Sequence, residues 1–324
     1  MPTPPRILVC GAANVDLVVP VEHLPQRGET LVGKSIAQVP GGKGANQAVA
    51  ARRLGAEVAF LGRVGRDDWG AFVRGQLQRE GLDLACLVDD ADRSTGVAMI
   101  FVGPTGENMI VAVPAANLGV TPVDVAAALR RNPHLDAIQL TLEAPLPTVQ
   151  ALIAAGNERG IPVILDAAPP ATYALSELRG VTVISPNETE AESLTGVHVE
   201  TLEDAARAAA ILREGTRARH VVMKLASRGA LVCDAGAPQG TWIEPFKVTA
   251  IDTTAAGDAF TAAMTVRLCQ GDALRDAVRN ANAAGALATT KMGAQPSLPT
   301  AEEVDRLLAA SMGVQRESHT NREW

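Results

Sequence analysis

Aromatic residues are scarce: Phe, Trp and Tyr make up 3% of the 324 residues. A site built on stacked rings is therefore not expected, and a polar ligand has to be held by hydrogen bonds and charge. Cysteine is sparse too. Cys10, Cys86, Cys233 and Cys269 stand singly, with neither the paired spacing of a zinc site nor a disulfide framework. Free thiols in a reducing, cytoplasmic setting are expected. Positive charge is in deficit, with 29 Lys and Arg against 36 Asp and Glu and a net charge of −7. This argues against a nucleic-acid or anionic-membrane surface, which needs clustered Lys and Arg, but not against a small phosphorylated ligand in a local positive field. No stretch approaches the ~18 consecutive apolar residues of a membrane helix. The chain runs from Pro5-Arg6 straight into the apolar Ile7-Leu8-Val9-Cys10, without a secretory pattern. The five histidines show no metal spacing, and the G-x-G-x-x-G dinucleotide fingerprint is missing.

What is present is alternation. Short apolar runs at 7–10, 58–61, 137–140, 163–165, 181–184 and 221–225 read as buried strands. Helical patterns lie among and after them at 45–54, 69–80, 122–131, 146–158, 188–194, 202–213, 256–269, 274–290 and 301–311. This order predicts an α/β fold: a mostly parallel central sheet flanked by helices, Rossmann-like and three-layered. Residues 15–21 with 31–39, and 96–102 with 108–113, are β-forming pairs without a crossover helix. They predict a small antiparallel sheet projecting as a lid. A single domain over 1–311 and a frayed tail over 312–324 complete the expectation.

One motif match fails on context. Gly28-Glu29-Thr30-Leu31-Val32-Gly33-Lys34-Ser35 satisfies G-x4-G-K-S, but β-formers fill its interior and no helix follows, so a lid strand is the better reading. Gly41-Gly42-Lys43-Gly44-Ala45-Asn46-Gln47 has the right context. It follows a strand and opens an alanine-rich helix, where free N–H groups, Lys43 and Asn46 converge on one spot. In Asp252-Thr253-Thr254-Ala255-Ala256-Gly257-Asp258, small side chains expose the N–H groups of a helix start as an anion hole. Asp258 beside that hole suits a general base taking a proton from a hydroxyl. Ser185-Pro186-Asn187-Glu188-Thr189-Glu190 is a helix start that also offers Asn187 and Glu190 as hard oxygen ligands for Mg²⁺ through water. Asn14 and Asp16 follow the first strand, where ligands of open α/β sheets bind, and Asp16 suits a vicinal diol. Glu143 follows another strand at the same edge. Asp166 ends a further strand, with no role fixed by sequence.

These motifs, together with Gly28-Glu29-Thr30, Ser94-Thr95-Gly96-Val97-Ala98, Ser227-Arg228-Gly229 and Gly293-Ala294-Gln295-Pro296-Ser297, resemble the ordered landmarks of the ribokinase-like carbohydrate kinase family. The resemblance spans nearly the whole chain. It implies an ATP-dependent kinase that phosphorylates the terminal hydroxyl of a pentose, O5 of ribose first, with 2-deoxyribose, a nucleoside or another sugar as the alternative. Asn14, Asp16, Gly42, Lys43, Asn46 and Glu143 would bind the sugar, with Asp258 as base and Ala255, Ala256 and Gly257 as anion hole. Asn187 and Glu190 would organise Mg²⁺. Lys224, Ser227 and Gly229 would lie along the nucleotide, with Asn282 near adenine. A monovalent-cation site, typically for K⁺, would use Asp252 and Ser297 with carbonyls of Thr254, Ala288, Lys291 and Gly293. A homodimer through the lid strands is implied as well. Lys224 and Ala226 stand where the family often has Thr and Gly, and Leu165-Asp166-Ala167-Ala168-Pro169 departs from the commoner Asn-Pro-Ala-Pro.

Overall fold

Ile7, Leu8, Val9 and Cys10 are all fully buried, as a strand covered on both faces must be. In the computed structural model, which describes residues 3–105, 107–234 and 236–320 (side chains of 238 and 312–320 excepted), they form β1 (Arg6–Cys10) at the heart of a nine-stranded sheet. The strands that follow are β2 (Asn14–Pro20), β3 (Ala37–Gly41), β4 (Glu57–Gly65), β5 (Leu87–Asp90), β6 (Gly96–Val102) and β7 (Asn108–Val113). Then come β8 (Ala137–Thr141), β9 (Val163–Asp166), β10 (Val183–Ser185), β11 (His220–Lys224), β12 (Ala230–Asp234) and β13 (Ala237–Ile243). The main sheet runs β13-β12-β11-β10-β9-β8-β1-β4-β5, and the second sheet β3-β2-β6-β7. The main sheet is parallel from β11 to β5, while β12 and β13 extend it antiparallel at one edge.

The helices are α1 (Lys43–Arg53), α2 (Asp68–Arg79), α3 (Pro122–Arg131), α4 (Leu146–Arg159), α5 (Glu188–Thr195), α6 (Leu202–Thr216), α7 (Ala256–Cys269), α8 (Leu274–Ala288) and α9 (Ala301–Thr320). Strand alternation sends Ile7 and Val9 into a core with α1, α2, α7 and α8, and Leu8 and Cys10 into a second core with α3 to α6. Two apolar layers on one sheet are the expected three-layer α/β architecture. None of the helices is long and apolar enough to cross a membrane, among the described residues.

Four details differ from the sequence reading. The lid is a mixed sheet: β2–β3 and β6–β7 are antiparallel, but the central β2–β6 pair is parallel. β6 reaches the lid after crossing through α2 and β5, so it enters in the direction of β2 rather than returning from a hairpin. The expected strand at 31–39 is reduced to β3, because its register with β2 ends at the Val18–Ala37 pair. Strands β5, β12 and β13 were not foreseen. Their short runs, one holding Pro238 and Gly240, lie at the sheet edges (β5, β13) or next to one (β12) and are stabilised by pairing more than by their own pattern. The last helix reaches Thr320, beyond the expected end at residue 311.

Parallel strands bring their carboxyl ends to one edge. Asp166 closes β9, Ser185 closes β10 and Lys224 closes β11, while Asn14 opens the segment after β1. The lid rises from that edge.

Candidate active site

At the β2 end, Asn14 and Asp16 lie on β2 opposite Gly41 and Val39 of β3. The strand contact there is so close that a Cβ on Gly41 would sit 2.2 Å from Asp16 Oδ2. Asn117 Nδ2 donates to Asn14 Oδ1 at 2.7 Å, and Asn117 Oδ1 accepts from the Ala13 amide at 2.9 Å. This fixes which way the Asn14 amide faces. Glu143, just past β8, accepts from the Ala12 and Gly44 amides at 3.3 Å each. Burial pushes its carboxyl up to about 7, against the pull of Lys43. Burial, with the Asp258 charge nearby, pushes Asp16 up to about 6.

Gly42, at φ +90°, starts α1 in a backbone region few side chains adopt. Lys43 follows. Burial opposes its charge, but Asp258, Asp166, Glu143 and Glu190 outweigh burial and hold the ammonium above its ordinary range. One turn in, Asn46 Nδ2 donates to Asp258 Oδ2 at 3.0 Å, while its Oδ1 has no hydrogen-bond partner in the protein. Gln47 Nε2 donates to Asp258 Oδ1 at 3.0 Å and to Asp166 Oδ2 at 2.8 Å, and Gln139 Nε2 fixes Gln47 through its Oε1 at 2.7 Å.

Asp258 sits in the first turn of α7 and is 5% exposed. Burial and, less strongly, the Asp166 charge raise its pKa above the ordinary carboxylate value, opposed by Lys43 and by the donors Asn46 and Gln47. A raised pKa makes it a better proton acceptor near neutrality. Ala255, at φ +61°, turns the chain into α7, and the Ala256 N–H makes a 3.3 Å bond to the Thr253 carbonyl. Around Gly257 a Cβ would meet nothing within 4 Å except Lys224 Nζ, at 3.7 Å. First-turn N–H groups there lack intrahelical acceptors and face a cleft of about 800 Å³.

The cleft runs from Lys43 and Asp258 to Asn282, with Asn187, Lys224, Ser227 and Gly229 also in its wall. Asn187 and Glu190 form a capping box: Asn187 Oδ1 accepts from the Glu190 amide at 2.8 Å and Glu190 Oε2 from the Asn187 amide at 2.8 Å. The helix-start reading and the ligand reading thus concern the same atoms. Glu190 is 3% exposed, and its carboxyl is raised by burial and by Asp166 while Lys224 pulls it down. Asn282 Nδ2 donates to the Ile243 and Glu244 carbonyls at 3.2 and 3.0 Å, tying α8 to the end of β13.

Of the cation-site residues that the resemblance implies, Asp252 is tied to Thr254 and Gly293. Asp252 Oδ1 accepts from the Thr254 amide at 2.9 Å, and Oδ2 from the Gly293 amide at 2.8 Å. The Ile251 and Asp252 amides donate to the Thr289 carbonyl, next to Ala288. Ser297 is buried and donates to the Ala294 carbonyl at 2.8 Å. The Lys291 ammonium is engaged elsewhere, 2.9 Å from Glu303 Oε1. Lys34 of the dismissed G-x4-G-K-S match is exposed in the lid and lies 3.8 Å from Glu22, away from the cleft wall.

Known proteins give this geometry a family. Residues 4–301 match the profile described as pfkB family carbohydrate kinase. The chain belongs to that family. A ribokinase from Haemophilus influenzae is 36% identical over 92% of this chain and 96% of its own. A deoxyribokinase from Salmonella typhimurium is 34% identical over 94% of this chain and 98% of its own. The structure of Arabidopsis thaliana ribokinase complexed with ribose and ATP superposes with a TM-score of 0.85 at 32% identity, covering 94% of this chain and 99% of that one. The protein is thus a sugar kinase of the ribokinase type, a phosphotransferase with an alcohol group as acceptor.

Sequence reasoning missed Gln47, Gln139 and Asn117 as site residues, and it left Asp166 without a role. Gln47 lay inside a motif that had been singled out, so its proximity was legible. Asn117 sits in an isolated 3₁₀ turn, 103 positions from Asn14, and nothing local marks it.

Proposed function

We propose that the protein transfers the γ-phosphate of ATP to O5 of D-ribose, giving ribose 5-phosphate. One observation carries the reading: the Asp258 carboxylate lies at the start of α7, beside the anion-hole amides, with both oxygens held by Asn46 and Gln47 from α1. A hydroxyl bound against Lys43, Asn46 and Asp258 faces the helix N-terminus where a phosphoryl group would sit. The sugar O–P bond forms as the bond from phosphorus to the nucleoside diphosphate oxygen breaks, and the hydroxyl proton passes to Asp258. Asp16 accepts from the remaining hydroxyls and Asn14 donates to them, Gly42 lets the start of α1 pack against the Ala12 backbone, and the unpartnered Asn46 Oδ1 accepts one more. Glu143 fixes the Ala12 and Gly44 amides behind them. Ala255 and Gly257 would present N–H groups to the transferred phosphoryl, joined by Ala256 once its N–H leaves the 3.3 Å bond to the Thr253 carbonyl, a role whose loss typically costs about 10²–10³ in rate per donor. Lys224, Ser227 and Gly229 flank the nucleotide, with Asn282 at the far end of the cleft.

The donor set suits Mg²⁺. Among the described residues no group of three or more His, Cys, Asp or Glu is placed to hold a metal. Glu190 and Asn187 would therefore act through water, with phosphate oxygens completing the shell. When bound, the ion supplies positive charge to the phosphate chain. Five carboxylates, Asp16, Glu143, Asp166, Glu190 and Asp258, stand against Lys43 and Lys224, so a nucleotide gains from a cation there. A monovalent cation would sit at one carboxylate, Asp252, held low by Thr254 and Gly293 against its burial, with the carbonyls of Thr254, Ala288, Lys291 and Gly293 and Ser297 as the further ligands that the family resemblance implies. A cytoplasmic setting is supported by the free thiols. A homodimer through the lid is supported by the edge strand β7, exposed along its whole length and carrying Met109, Ile110, Val111 and Val113.

Assay of D-ribose, 2-deoxyribose, other pentoses and nucleosides with MgATP, with and without K⁺, tests the reading. The expected outcome is the highest kcat/KM for ribose and a higher rate with K⁺. A preference for 2-deoxyribose would move the assignment to the alternative acceptor, a substrate class that the deoxyribokinase relative shows is compatible with this level of similarity.

A further inference from the structure

Strands β9 and β11 end on opposite charges. Lys224 Nζ donates to Asp166 Oδ1 at 2.6 Å and lies 3.7 Å from Glu190 Oε2. The two residues are 58 positions apart in the chain. Asp166 is 1% exposed and Lys224 8%. An ion pair this deep seldom adds net stability over an uncharged pair, because both charges leave water. Its position offers another account. Both residues line the cleft, and the Lys224 ammonium lies beside Gly257 in the first turn of α7. An ammonium carries three donors, and the bond to Asp166 uses one. Lys43 supplies positive charge on the sugar side of Asp258, and Lys224 is the buried cation on the nucleotide side.

We propose that Lys224 is a catalytic residue whose ammonium contacts the phosphate chain of the bound nucleotide, with Asp166 as its counter-ion. The proposal rests on the sugar-kinase reading above. Nζ keeps its proton throughout, and no bond forms or breaks there. Its contribution is charge opposite the transferring phosphoryl group. The protein thereby carries part of the positive charge that a nucleoside triphosphate needs, and part of its nucleotide affinity is independent of divalent metal.

Calorimetric titration with ATP, in a metal-free buffer containing chelator and again with Mg²⁺, tests this on the wild type, Lys224→Thr, Asp166→Asn and the double variant. Loss of one charged hydrogen bond to phosphate should weaken binding about tenfold or more in Lys224→Thr. Asp166→Asn should bind ATP more tightly than the wild type, since the ammonium is released from its partner. The double variant guards against misfolding of the singles. An Asn at 166 can keep its carbonyl toward Gln47 and Thr261, which both donate to Oδ2, and offer its amide to a Thr hydroxyl. The double variant should bind ATP as weakly as Lys224→Thr. If it binds like the wild type, Lys224 serves only to neutralise Asp166, and the proposal is overturned. Wild-type protein that binds ATP in neither buffer overturns the kinase reading, and the proposal with it.

Discussion

At the sugar end of the cleft, a Cβ on Gly42 would sit 2.5 Å from the Ala12 carbonyl oxygen, and one on Gly44 would sit 2.4 Å from Gly11 Cα. At the nucleotide end, two alanines, Ala226 at φ +48° and Ala255 at φ +61°, occupy backbone conformations that glycine adopts freely. The first end requires glycine because backbone meets backbone, and there is nothing flexible to give way. The second tolerates a methyl because the cost is only conformational, of the order of 1–2 kcal/mol per residue. Space is therefore the stricter constraint where the sugar would bind, and backbone freedom the looser one where the nucleotide would lie. Gly257 lies between the two. Within 4 Å its Cβ would meet only Lys224, so it leaves room for a ligand rather than for the protein.

The largest effect should come where the two ends meet. Asp258→Asn removes the proposed base and should lower kcat about 10³-fold. Equilibrium titration should still detect ribose binding, since Lys43, Asn14 and Asp16 are untouched. Near-normal turnover would detach the sugar end from the chemistry.

Gly42→Ala tests the claim about space directly. A collision with backbone at positive φ should cost about 3 kcal/mol in denaturant unfolding, together with a raised KM for the sugar. A stable, fully active variant would erase the difference between the ends.

Acidity should also separate them. Glu143 and Asp16 are pushed up to about 7 and about 6, above their ordinary values. Each binds protons more readily folded than unfolded. Their contribution to stability is thus fully present below about pH 4 and lost as pH rises through 6 and 7. Hydroxyl donors favour the ionised carboxylates, so sugar binding should instead strengthen over the same rise. Calorimetry between pH 5 and 8, with sugar and separately with a nucleotide analogue, reads this. Equal pH dependence for both ligands would count against it.

The smallest effect is expected from Ala226→Gly. Relief of the left-handed strain, less the extra freedom of glycine in the unfolded chain, should stabilise the protein by about 1 kcal/mol or less. Unfolding midpoints and the KM for ATP would show whether the methyl also touches the nucleotide.

Much of this was legible in the chain itself. Gly42, Lys43 and Asn46 are neighbours in sequence, and so are Ala255, Ala256, Gly257 and Asp258, so the loop that opens each helix is fixed by local backbone chemistry. The parallel sheet followed from apolar runs between helical patterns. The antiparallel strands β12 and β13 and the parallel β2–β6 pairing did not, because pairing partners are chosen by crossover path rather than by composition.

The sequence by itself determined the helix starts, the glycine-lined turns and the identity of the groups able to do chemistry, since each depends on residues within one turn of one another. Only the tertiary structure decided which groups meet. Gln47 reaches Asp258 across 211 positions, Asn117 holds Asn14 across 103, and Lys224 meets Asp166 across 58. Those contacts set the electrostatics of the site. A buried carboxylate takes its protonation from whatever lies within a few ångströms, and the order of residues along the chain does not specify that distance.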